Sequence, residues 1–423
     1  IVTRELPGAR WLEVLAAAGC RVEVCTSEAV LSRADIRAAF GGRCDGAIGQ
    51  LTEEWGEELF AALKAAGGRA YSNYAVGFNN VDLTAATRHG IPVGNTPGVL
   101  TETTAEMAVA LTFAAARRVG ESERFLRAGR YSSWLPTLFL GERLHGKTLG
   151  IIGAGRIGEA YARMMMEGHK MDLLYYDLRT NEALERYAAD YGKFLQAHGQ
   201  RPVACRRVPN TDELLREADV VSIHTVLDDA TRHLINAERL ARMKPNAVLV
   251  NTSRGPVIDE AALVAHCRSH PEFRAGLDVF ENEPQLAPGL AQLENVVIVP
   301  HIASATRWTR EGMATLAAAN VAGLLSGKPA WNRADIAPFL GTAPPPAAPS
   351  ILNAKELKIP LPVAIVEEHI LTAIASLRQM VRNSRHNDPC HSRHELMVAM
   401  PRSMSRSSIG EIPKCAVVAV DRR

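Results

Sequence analysis

The sequence predicts an α/β fold in which two doubly wound parallel sheets flank a cleft. Two observations predict this fold. Short β-branched runs alternate with alanine-rich helical stretches along residues 1–118, and the same alternation begins again at residue 147. Such alternation of strands and helices produces a parallel sheet that is covered by helices on both faces. At 423 residues, 47% of them hydrophobic, the chain is long enough for two or three domains with large cores.

The expected strands and helices follow the apolar runs in chain order. In the first half, we expect strands at residues 1–3, 22–25 and 47–49, and helices at residues 11–18, 34–40, 57–66 and 101–118. In the second half, we expect strands at residues 147–152, 172–176, 220–223, 247–250, 275–279 and 296–299, and a helix at residues 157–167. A last alanine-rich helix at residues 308–325 stops before Gly327 and is expected to return to the first unit.

The overall composition excludes several kinds of partner. The net charge of +2 gives no electrostatic basis for binding nucleic acid or a membrane surface. The seven cysteines include no C-x-x-C pair, so we expect free thiols and no metal site. The longest apolar run is too short to cross a bilayer. We therefore expect no nucleic acid, no membrane and no metal as a partner.

A glycine-rich loop follows an expected strand and precedes an expected helix. In its pattern G-x-G-x-x-G, Gly153 permits the turn, Gly155 lets the backbone approach a pyrophosphate, and Gly158 allows close packing of helix on sheet. The amide groups of Arg156 and Ile157 then point at the phosphates from a helix N-terminus. The pattern alone is a weak signal, but in this context it predicts a Rossmann-type dinucleotide site.

An acidic residue at the end of the next strand indicates which dinucleotide is bound. Asp177 lies about 20 residues beyond the glycines, where a carboxylate accepts hydrogen bonds from the adenosine ribose and repels a 2′-phosphate. Arg179 could serve such a phosphate, although a solvated loop arginine is the more ordinary interpretation. We therefore expect NAD as the cofactor, with NADH preferred over NADPH.

Three further side chains, Arg254, Glu283 and His301, follow successive strands of the second half. Reduction of a 2-keto acid needs a cation for the carboxylate and a proton donor near the ketone oxygen. Arg254 offers a planar, two-pronged clamp, and an imidazole such as that of His301 is a common proton donor in catalysis. A buried Glu283 would stabilise the imidazolium. Taken singly, each has an ordinary interpretation. Arg254 could cap a helix or bind only a cofactor phosphate, Glu283 could be a solvated loop carboxylate, and His301 could be a histidine of the core. Taken together at successive strand ends, they predict a catalytic group.

The motifs as a set resemble the D-isomer-specific 2-hydroxyacid dehydrogenase family. The resemblance is carried by residues 153–158, 251–256, 276–284 and 300–304, and it extends from about residue 1 to residue 355. Within that family, residues 74–80, 98–106 and 308–315 resemble plant-type, NADH-dependent hydroxypyruvate reductases. This implies reduction of hydroxypyruvate to D-glycerate, and of glyoxylate to glycolate, in photorespiratory glycerate recovery.

Three alternatives exist on the same scaffold: a glyoxylate reductase, a formate dehydrogenase and an NAD-sensing corepressor. Glu283 argues against formate dehydrogenase, because that enzyme pairs its histidine with glutamine.

The resemblance also implies roles for individual residues. Arg254 would anchor the substrate, Glu283 would be the partner of His301, and His301 would donate the proton. Backbone amides of Val76 and Gly77 would bind the substrate carboxylate. Expected cofactor contacts beyond the glycine loop and Asp177 are Thr104, His224, Thr252, Arg254, Asp278, which would hold the nicotinamide carboxamide, His301 and Ser304.

The resemblance further implies a homodimer. Trp134 matches a tryptophan that reaches into the partner subunit's active site in related reductases, and a residue of the dimer core is an equally acceptable interpretation. In either case Trp134 belongs to a dimerisation arm near residues 120–146.

Three parts of the chain are expected. Residues 1–118 plus 304–341 would form a discontinuous substrate domain, and residues 119–303 would form the NAD-binding domain, which includes the arm. Residues 342–423, which begin with a proline-rich stretch, would be an extended and poorly ordered tail. The chain starts at Ile1 and lacks a C-terminal peroxisomal tripeptide, so we expect an organellar location that is mitochondrial rather than peroxisomal.

Overall fold

Two parallel sheets organise the chain in the computed structural model, which describes residues 1–27, 29–341 and 344–362. The smaller sheet has the strand order β1-β2-β3, and the larger sheet has the order β10-β9-β8-β7-β4-β5-β6. Their strands are β1 (Gly46–Gly49), β2 (Ala70–Asn73), β3 (Val93–Gly94), β4 (Thr148–Ile152), β5 (Asp172–Tyr176), β6 (Cys205–Arg207), β7 (Val220–Ile223), β8 (Val248–Asn251), β9 (Arg274–Leu277) and β10 (Val296–Ile298). The prediction of two Rossmann-like α/β domains is confirmed.

The α-helices lie before, between and after these strands. They are α1 (Arg10–Ala17), α2 (Arg33–Ala39), α3 (Glu57–Ala65), α4 (Leu83–Arg88), α5 (Thr101–Ala116), α6 (Val119–Arg127), α7 (Arg156–His169), α8 (Glu182–Ala197), α9 (Thr211–Glu217), α10 (Ala237–Leu240), α11 (Glu260–Ser269), α12 (Arg307–Leu325) and α13 (Ala337–Leu340). Among the residues described, no helix has the length and apolar character needed to span a membrane.

The larger sheet reverses its direction of growth between β4 and β7. Strand β4 pairs with β5 on one side and with β7 on the other, both in parallel register. Loops that follow β4 and β7 therefore diverge and leave a crevice at the carboxyl edge of the sheet, where doubly wound folds bind ligands. The strands around this point, β7 and β8, are buried along their whole length, as parallel strands covered by helices on both faces should be.

The long helix α12 returns to the smaller sheet, while α5 packs on the larger one. Ala314, Ala317 and Ala318 of α12 share a core with Val2 and Ile48 near the smaller sheet. Ala105, Ala108 and Leu111 of α5 instead belong to a core of the larger sheet. The sequence analysis placed this helix in the first domain because it ends the strand–helix alternation of residues 1–118. The bounds of the domains stay a prediction.

Residues 344–362 differ from the extended, poorly ordered tail that the sequence predicts. Ile351 pairs with Gly94 at the edge strand of the smaller sheet, and Ala347, Ala348 and Ile351 are buried. The side chain of Asn353 accepts a hydrogen bond from the Val93 amide (2.9 Å) and donates one to the Ile91 carbonyl (3.0 Å). The prolines in this segment predicted an extended chain, and the composition gives no sign of these few buried contacts. The part of the expected tail beyond residue 362 lies outside the described residues.

The two strands expected before residue 26 are also absent as regular elements. Val2 forms single parallel bridges with Val24 and with Ile48, and neither segment extends the ladder further. The side chain of Val2 is buried, as its apolar character predicts. The backbone pairing around it is too short to form a strand.

Candidate active site

The glycine loop connects β4 to α7 by close contacts that require glycine at two positions. Gly153 has φ of +92°, and a Cβ atom there would lie 2.8 Å from the His224 carbonyl oxygen. A Cβ atom on Gly158 would overlap the carbonyl group of Gly153. A Cβ atom on Gly155 would instead point into open space. The first and third glycines therefore serve the turn and the packing, whereas the second leaves room beside the backbone.

Helix α7 begins directly at this loop. Its N-cap is Gly155, which supplies no side-chain hydrogen bond, and Arg156 and Ile157 are its first two residues. The amide groups of a first helical turn need acceptors, and the helix dipole favours a negative charge there. The N-terminus of α7 is thus suited to a pyrophosphate, as the sequence predicted.

Asp177 lies just after β5 and is tied to the glycine loop. Its carboxylate accepts hydrogen bonds from the Ala154 amide (2.9 Å) and the Arg179 amide (3.1 Å). Arg207 holds the same turn by donating to the Asp177 carbonyl oxygen at 2.9 Å. The side chain of Asp177 thus orders the glycine loop, and its role toward a ribose stays a prediction. No pattern in the sequence signals the first of these contacts.

Polar side chains after two neighbouring strands, β7 and β8, are compatible with a bound dinucleotide. The hydroxyl of Thr252, after β8, is buried without a hydrogen-bond partner among the described residues. His224, after β7, accepts a hydrogen bond from the Ser222 hydroxyl or donates one to it (2.8 Å), and its burial lowers its pKa to about 3. A neutral imidazole and an unpaired hydroxyl at the crevice fit a polar, uncharged part of a nucleotide. Thr104, in the first turn of α5, is also buried.

Asp278 follows β9 and fixes the backbone of the histidine segment. Its fully buried carboxylate accepts hydrogen bonds from the amides of Ile302 (2.6 Å) and Ala303 (3.0 Å). Burial raises the pKa of Asp278, and these two hydrogen bonds oppose that rise. His301 itself has a backbone φ of +52°, a conformation that residues other than glycine rarely adopt. Two kinds of contact hold this strained turn. The Asp278 carboxylate binds the two amides named above, and the His301 amide donates a hydrogen bond to the Asp278 carbonyl oxygen (2.9 Å).

The structure pairs His301 with Glu283. Nδ1 of His301 lies 2.9 Å from a Glu283 carboxylate oxygen, and the Phe280 amide donates to the other oxygen at 3.0 Å. Burial alone would raise the pKa of Glu283, but the hydrogen bond and charge of His301 outweigh it, so the pKa is lowered. Glu283 therefore stays ionised at neutral pH. With Nδ1 occupied, Nε2 is the ring atom left for a substrate.

Arg254 extends from the loop after β8 to the smaller sheet. Its Nε donates to the side-chain oxygen of Asn79 (2.9 Å), and one terminal nitrogen donates to the Ser253 carbonyl (2.7 Å). The other terminal nitrogen lies so close to Gly77 that a Cβ atom at that position would overlap it. Burial lowers the pKa of Arg254, and the negative charge of Glu283 opposes this. The guanidinium therefore joins the segments that follow β2 and β8, and it interacts electrostatically with Glu283.

Backbone amides of the segment after β2 lie beside this guanidinium. Within the part of the chain that the structure describes, the amides of Val76 and Gly77 donate no hydrogen bond. The surrounding carbonyl groups are in contrast fixed: Asn95 donates to the Val76 carbonyl (2.9 Å) and Asn73 to the Gly77 carbonyl (3.0 Å). Two free amides and a guanidinium on one side make a site for a carboxylate.

Sequence reasoning missed the asparagines that support these groups. Asn79 orients Arg254 from the opposite sheet, and the Asn251 side chain donates to the Arg254 carbonyl oxygen at 2.9 Å. Both stand within segments that were singled out, but a polar side chain in a motif does not show whether it faces a ligand or its neighbours.

Ser304 and Trp134, the remaining predicted site residues, form no hydrogen bond with the side chains of His301 and Glu283 within the described part of the chain. The carbonyl of Ser304 accepts a hydrogen bond from the Arg310 side chain at 3.3 Å, and its hydroxyl group forms no hydrogen bond with another described residue. Trp134 is 76% exposed in the segment between α6 and β4 and has no hydrogen bond or ring contact with Arg254, Glu283 or His301. Over the described parts of the chain, no cluster of His, Cys, Asp and Glu could hold a metal ion.

Comparisons with known proteins show what this chain is similar to. Residues 109–303 match the family model described as D-isomer specific 2-hydroxyacid dehydrogenase, NAD binding domain. A glycerate dehydrogenase of Cucumis sativus is 59% identical over 361 residues, which are 84% of this chain and 94% of that protein. A protein of Arabidopsis thaliana, named glycerate dehydrogenase HPR, peroxisomal, is 58% identical over 367 residues, 85% of this chain and 95% of that protein. A solved structure from Thermus thermophilus is 38% identical with a TM-score of 0.68, covering 83% of this chain and 98% of its own.

The Arabidopsis relative also corrects one expectation. The mitochondrial location expected from the sequence is wrong, because this relative, 58% identical, is named a peroxisomal protein. The expectation depended on the two ends of the sequence, and these do not determine a compartment.

Proposed function

Since this chain belongs to the D-isomer-specific 2-hydroxyacid dehydrogenase family, we propose that it reduces hydroxypyruvate to D-glycerate with NADH, and glyoxylate to glycolate less well. The single observation that carries the proposal is the His301–Glu283 pair at 2.9 Å, whose carboxylate also interacts electrostatically with the Arg254 guanidinium. The likeness to the plant glycerate dehydrogenases supports hydroxypyruvate as the substrate, a role in photorespiratory glycerate recovery and a peroxisomal location.

The cofactor is NAD(H), and the residues present suit it. The N-terminus of α7 would hold the pyrophosphate, Asp177 the adenosine ribose, and Asp278 the nicotinamide carboxamide. Thr252 and His224 would line the crevice between them. When bound, NADH supplies the hydride for the ketone carbon.

The protein side chains bind the substrate and move the proton. Arg254 and the amides of Val76 and Gly77 bind the carboxylate, which turns the ketone carbonyl toward His301. Protonated His301 then gives its Nε2 proton to the ketone oxygen, which gains negative charge as the carbon is reduced. Glu283 stabilises the imidazolium before transfer and keeps the ring in the required orientation through Nδ1. The products are the 2-hydroxy acid and neutral His301, which takes a proton from solvent for the next turnover.

A panel of 2-keto acids tests the proposed function. Hydroxypyruvate, glyoxylate and pyruvate should be assayed with NADH and NADPH by the loss of absorbance at the nicotinamide band. We expect kcat/KM to be highest for hydroxypyruvate with NADH. Negligible turnover with every keto acid, together with tight NADH binding, would instead indicate a NAD-sensing binding protein.

Asp177 is proposed to set the preference for NADH over NADPH. Asp177→Asn keeps an acceptor for the Ala154 amide but removes the charge that repels a 2′-phosphate. We expect the ratio of kcat/KM for NADH to that for NADPH to fall by about tenfold or more, because about 1.4 kcal/mol of discrimination corresponds to a factor of ten. Asp172→Asn, at the opposite end of β5, is the matched control and should leave the ratio unchanged. An unaltered ratio in the Asp177 variant would remove the assignment.

We also propose a homodimer that is built through the arm at residues 120–146. Five large hydrophobic side chains of this segment are exposed: Leu126, Tyr131, Trp134, Leu135 and Leu140. Contiguous exposed apolar side chains of this kind usually mark an interface.

Changing one arm residue should therefore weaken the dimer. Trp134→Glu places a charge within the proposed interface, so we expect a shift from dimer to monomer at micromolar concentration in sedimentation velocity. Trp308→Glu, which alters a similarly exposed tryptophan outside the arm, should leave the dimer intact. A monomeric parent protein would contradict the proposal.

A further inference from the structure

The loop that carries Glu283 is closed at its base by another carboxylate. Glu260, the first residue of α11, is almost fully buried. One of its oxygens accepts a hydrogen bond from the Glu281 amide (3.0 Å), and the other accepts one from the Ala287 amide (3.1 Å). A single buried side chain thus binds both ends of segment 281–287, of which Glu283 is a member.

The same loop is fixed from two other directions. The Glu281 carboxylate accepts a hydrogen bond from the Glu260 amide (3.2 Å), and its other oxygen lies 2.6 Å from Nε2 of His233. Within the loop, Asn282 and Gln285 form an antiparallel bridge. The loop is therefore a closed, hydrogen-bonded unit that is attached to its surroundings through Glu260 and through His233.

This attachment links the Glu283 loop to the segment that carries Arg254. Glu260 follows Arg254 by six residues, and the intervening Gly255 lies against the Phe280 carbonyl so closely that a Cβ atom would overlap it. The loops after β8 and β9 are thus packed backbone against backbone. A carboxylate that joins them sets the distance between the substrate clamp and the partner of the proton donor.

We propose that Glu260 is a positioning residue for the reduction, which holds Glu283 against His301 by accepting hydrogen bonds from both ends of segment 281–287. Glu260 does not touch the substrate. It acts through Glu283, and the inference rests on the proposed function of the site. Burial of Glu260, with the negative charges of Glu281 and Glu283 nearby, raises its pKa, and the two amide hydrogen bonds oppose that rise.

The substitution Glu260→Gln tests this role with little change in shape. A glutamine offers one carbonyl oxygen and one NH₂ group, so one of the two backbone amides would face a donor and lose its acceptor. One end of segment 281–287 would then be released. Since small misplacements of catalytic groups cost up to about a hundredfold in rate, we expect kcat with hydroxypyruvate to fall by about ten- to a hundredfold.

Two further measurements separate positioning from general weakening of the fold. The KM for hydroxypyruvate should change by less than about threefold, because Arg254 keeps its contacts with Asn79 and Ser253. The dissociation constant for NADH, measured by quenching of protein fluorescence, should be unchanged. A purely structural role for Glu260 predicts that NADH binding and kcat decline together.

Asp259→Asn is the matched control. It makes the same carboxylate-to-amide change one residue earlier. Among the described residues, the Asp259 side chain has one hydrogen bond, which it accepts from the Ala262 amide (2.9 Å) to cap α11. Asparagine caps helices equally well. This variant should keep the parent kcat. If Glu260→Gln does not fold, Glu260→Asp carries the same test, because the shorter carboxylate reaches only one of the two amides and should also lower kcat with NADH binding intact.

The parent protein is measured first, so that two failures can be told apart. A parent that does not reduce hydroxypyruvate refutes the proposed function. A parent that does so, with a Glu260→Gln or folded Glu260→Asp variant whose kcat lies within about twofold of it, refutes the positioning role alone. A fall in kcat that Asp259→Asn shares to the same extent would also overturn that role.

Discussion

Replacement of His301 by alanine should lower kcat for hydroxypyruvate by about two to four orders of magnitude, which is the usual contribution of a general acid. The expected loss is large because Nδ1 of His301 is already bound to Glu283, so only Nε2 can deliver the proton. Neither Arg254 nor the amides of Val76 and Gly77 can replace it at neutral pH. Steady-state kinetics with saturating NADH, together with NADH affinity by fluorescence, would measure the effect, and the affinity should remain.

A second histidine–glutamate pair provides the control for this experiment. His89 lies 2.8 Å from the Glu57 carboxylate at the end of α4, far along the chain from the crevice. His89→Ala removes the same chemical groups and should leave kcat within about twofold of the parent value. Turnover by His301→Ala that equals the turnover of His89→Ala would exclude His301 as the proton donor.

Replacement of Arg254 by lysine should raise the KM for hydroxypyruvate and lower kcat/KM by about a hundredfold or more, which corresponds to about 3 kcal/mol. The guanidinium uses Nε for Asn79 and one terminal nitrogen for Ser253, which fixes the plane in which the second terminal nitrogen is offered. An ammonium group is a point charge and cannot make these contacts at once. Kinetics with hydroxypyruvate at fixed NADH would show the change.

Arg239→Lys is the matched control for the clamp. Arg239 is another half-buried arginine that binds a side chain and a carbonyl group, Asp212 and Leu234, each at 2.9 Å. Its replacement should affect stability slightly and keto-acid kinetics not at all. If Arg254→Lys retained the parent kcat/KM, the carboxylate would have to be bound elsewhere, and the free amides of Val76 and Gly77 would be the first place to look.

The sequence predicted the larger sheet better than the smaller one, for a physical reason. The strands that end at Ile152, Tyr176 and Ile223 are buried on both faces, so their sequences are mostly continuous apolar runs. Near Val2 and Val24 only single residues pair, and the chain segment at Ile351 joins β3 from a proline-rich stretch. Such short pairings leave no period in the sequence, because each depends on a partner that is distant along the chain.

The candidate site shows the same division between what motifs reveal and what they hide. His301 and Glu283 could be paired in advance because each follows a strand of one parallel sheet, so both must lie at one edge. Asn79 and Glu260 could not be foreseen. Asn79 meets Arg254 across the two sheets, and Glu260 looks like the acidic first turn of any helix. Their roles depend on which backbone groups come within about 3 Å of them, the ordinary length of a hydrogen bond, and no local pattern records this.

Gly77 limits how this enzyme could be redesigned. Attempts to broaden a reductase commonly start by trimming or enlarging residues beside the substrate, and the segment after β2 is an obvious target. At this position even one added methyl group would collide with the Arg254 guanidinium. A mutant library would therefore report displacement of the anchor and not a changed tolerance for larger acids. Useful diversity has to be introduced at other positions around the crevice.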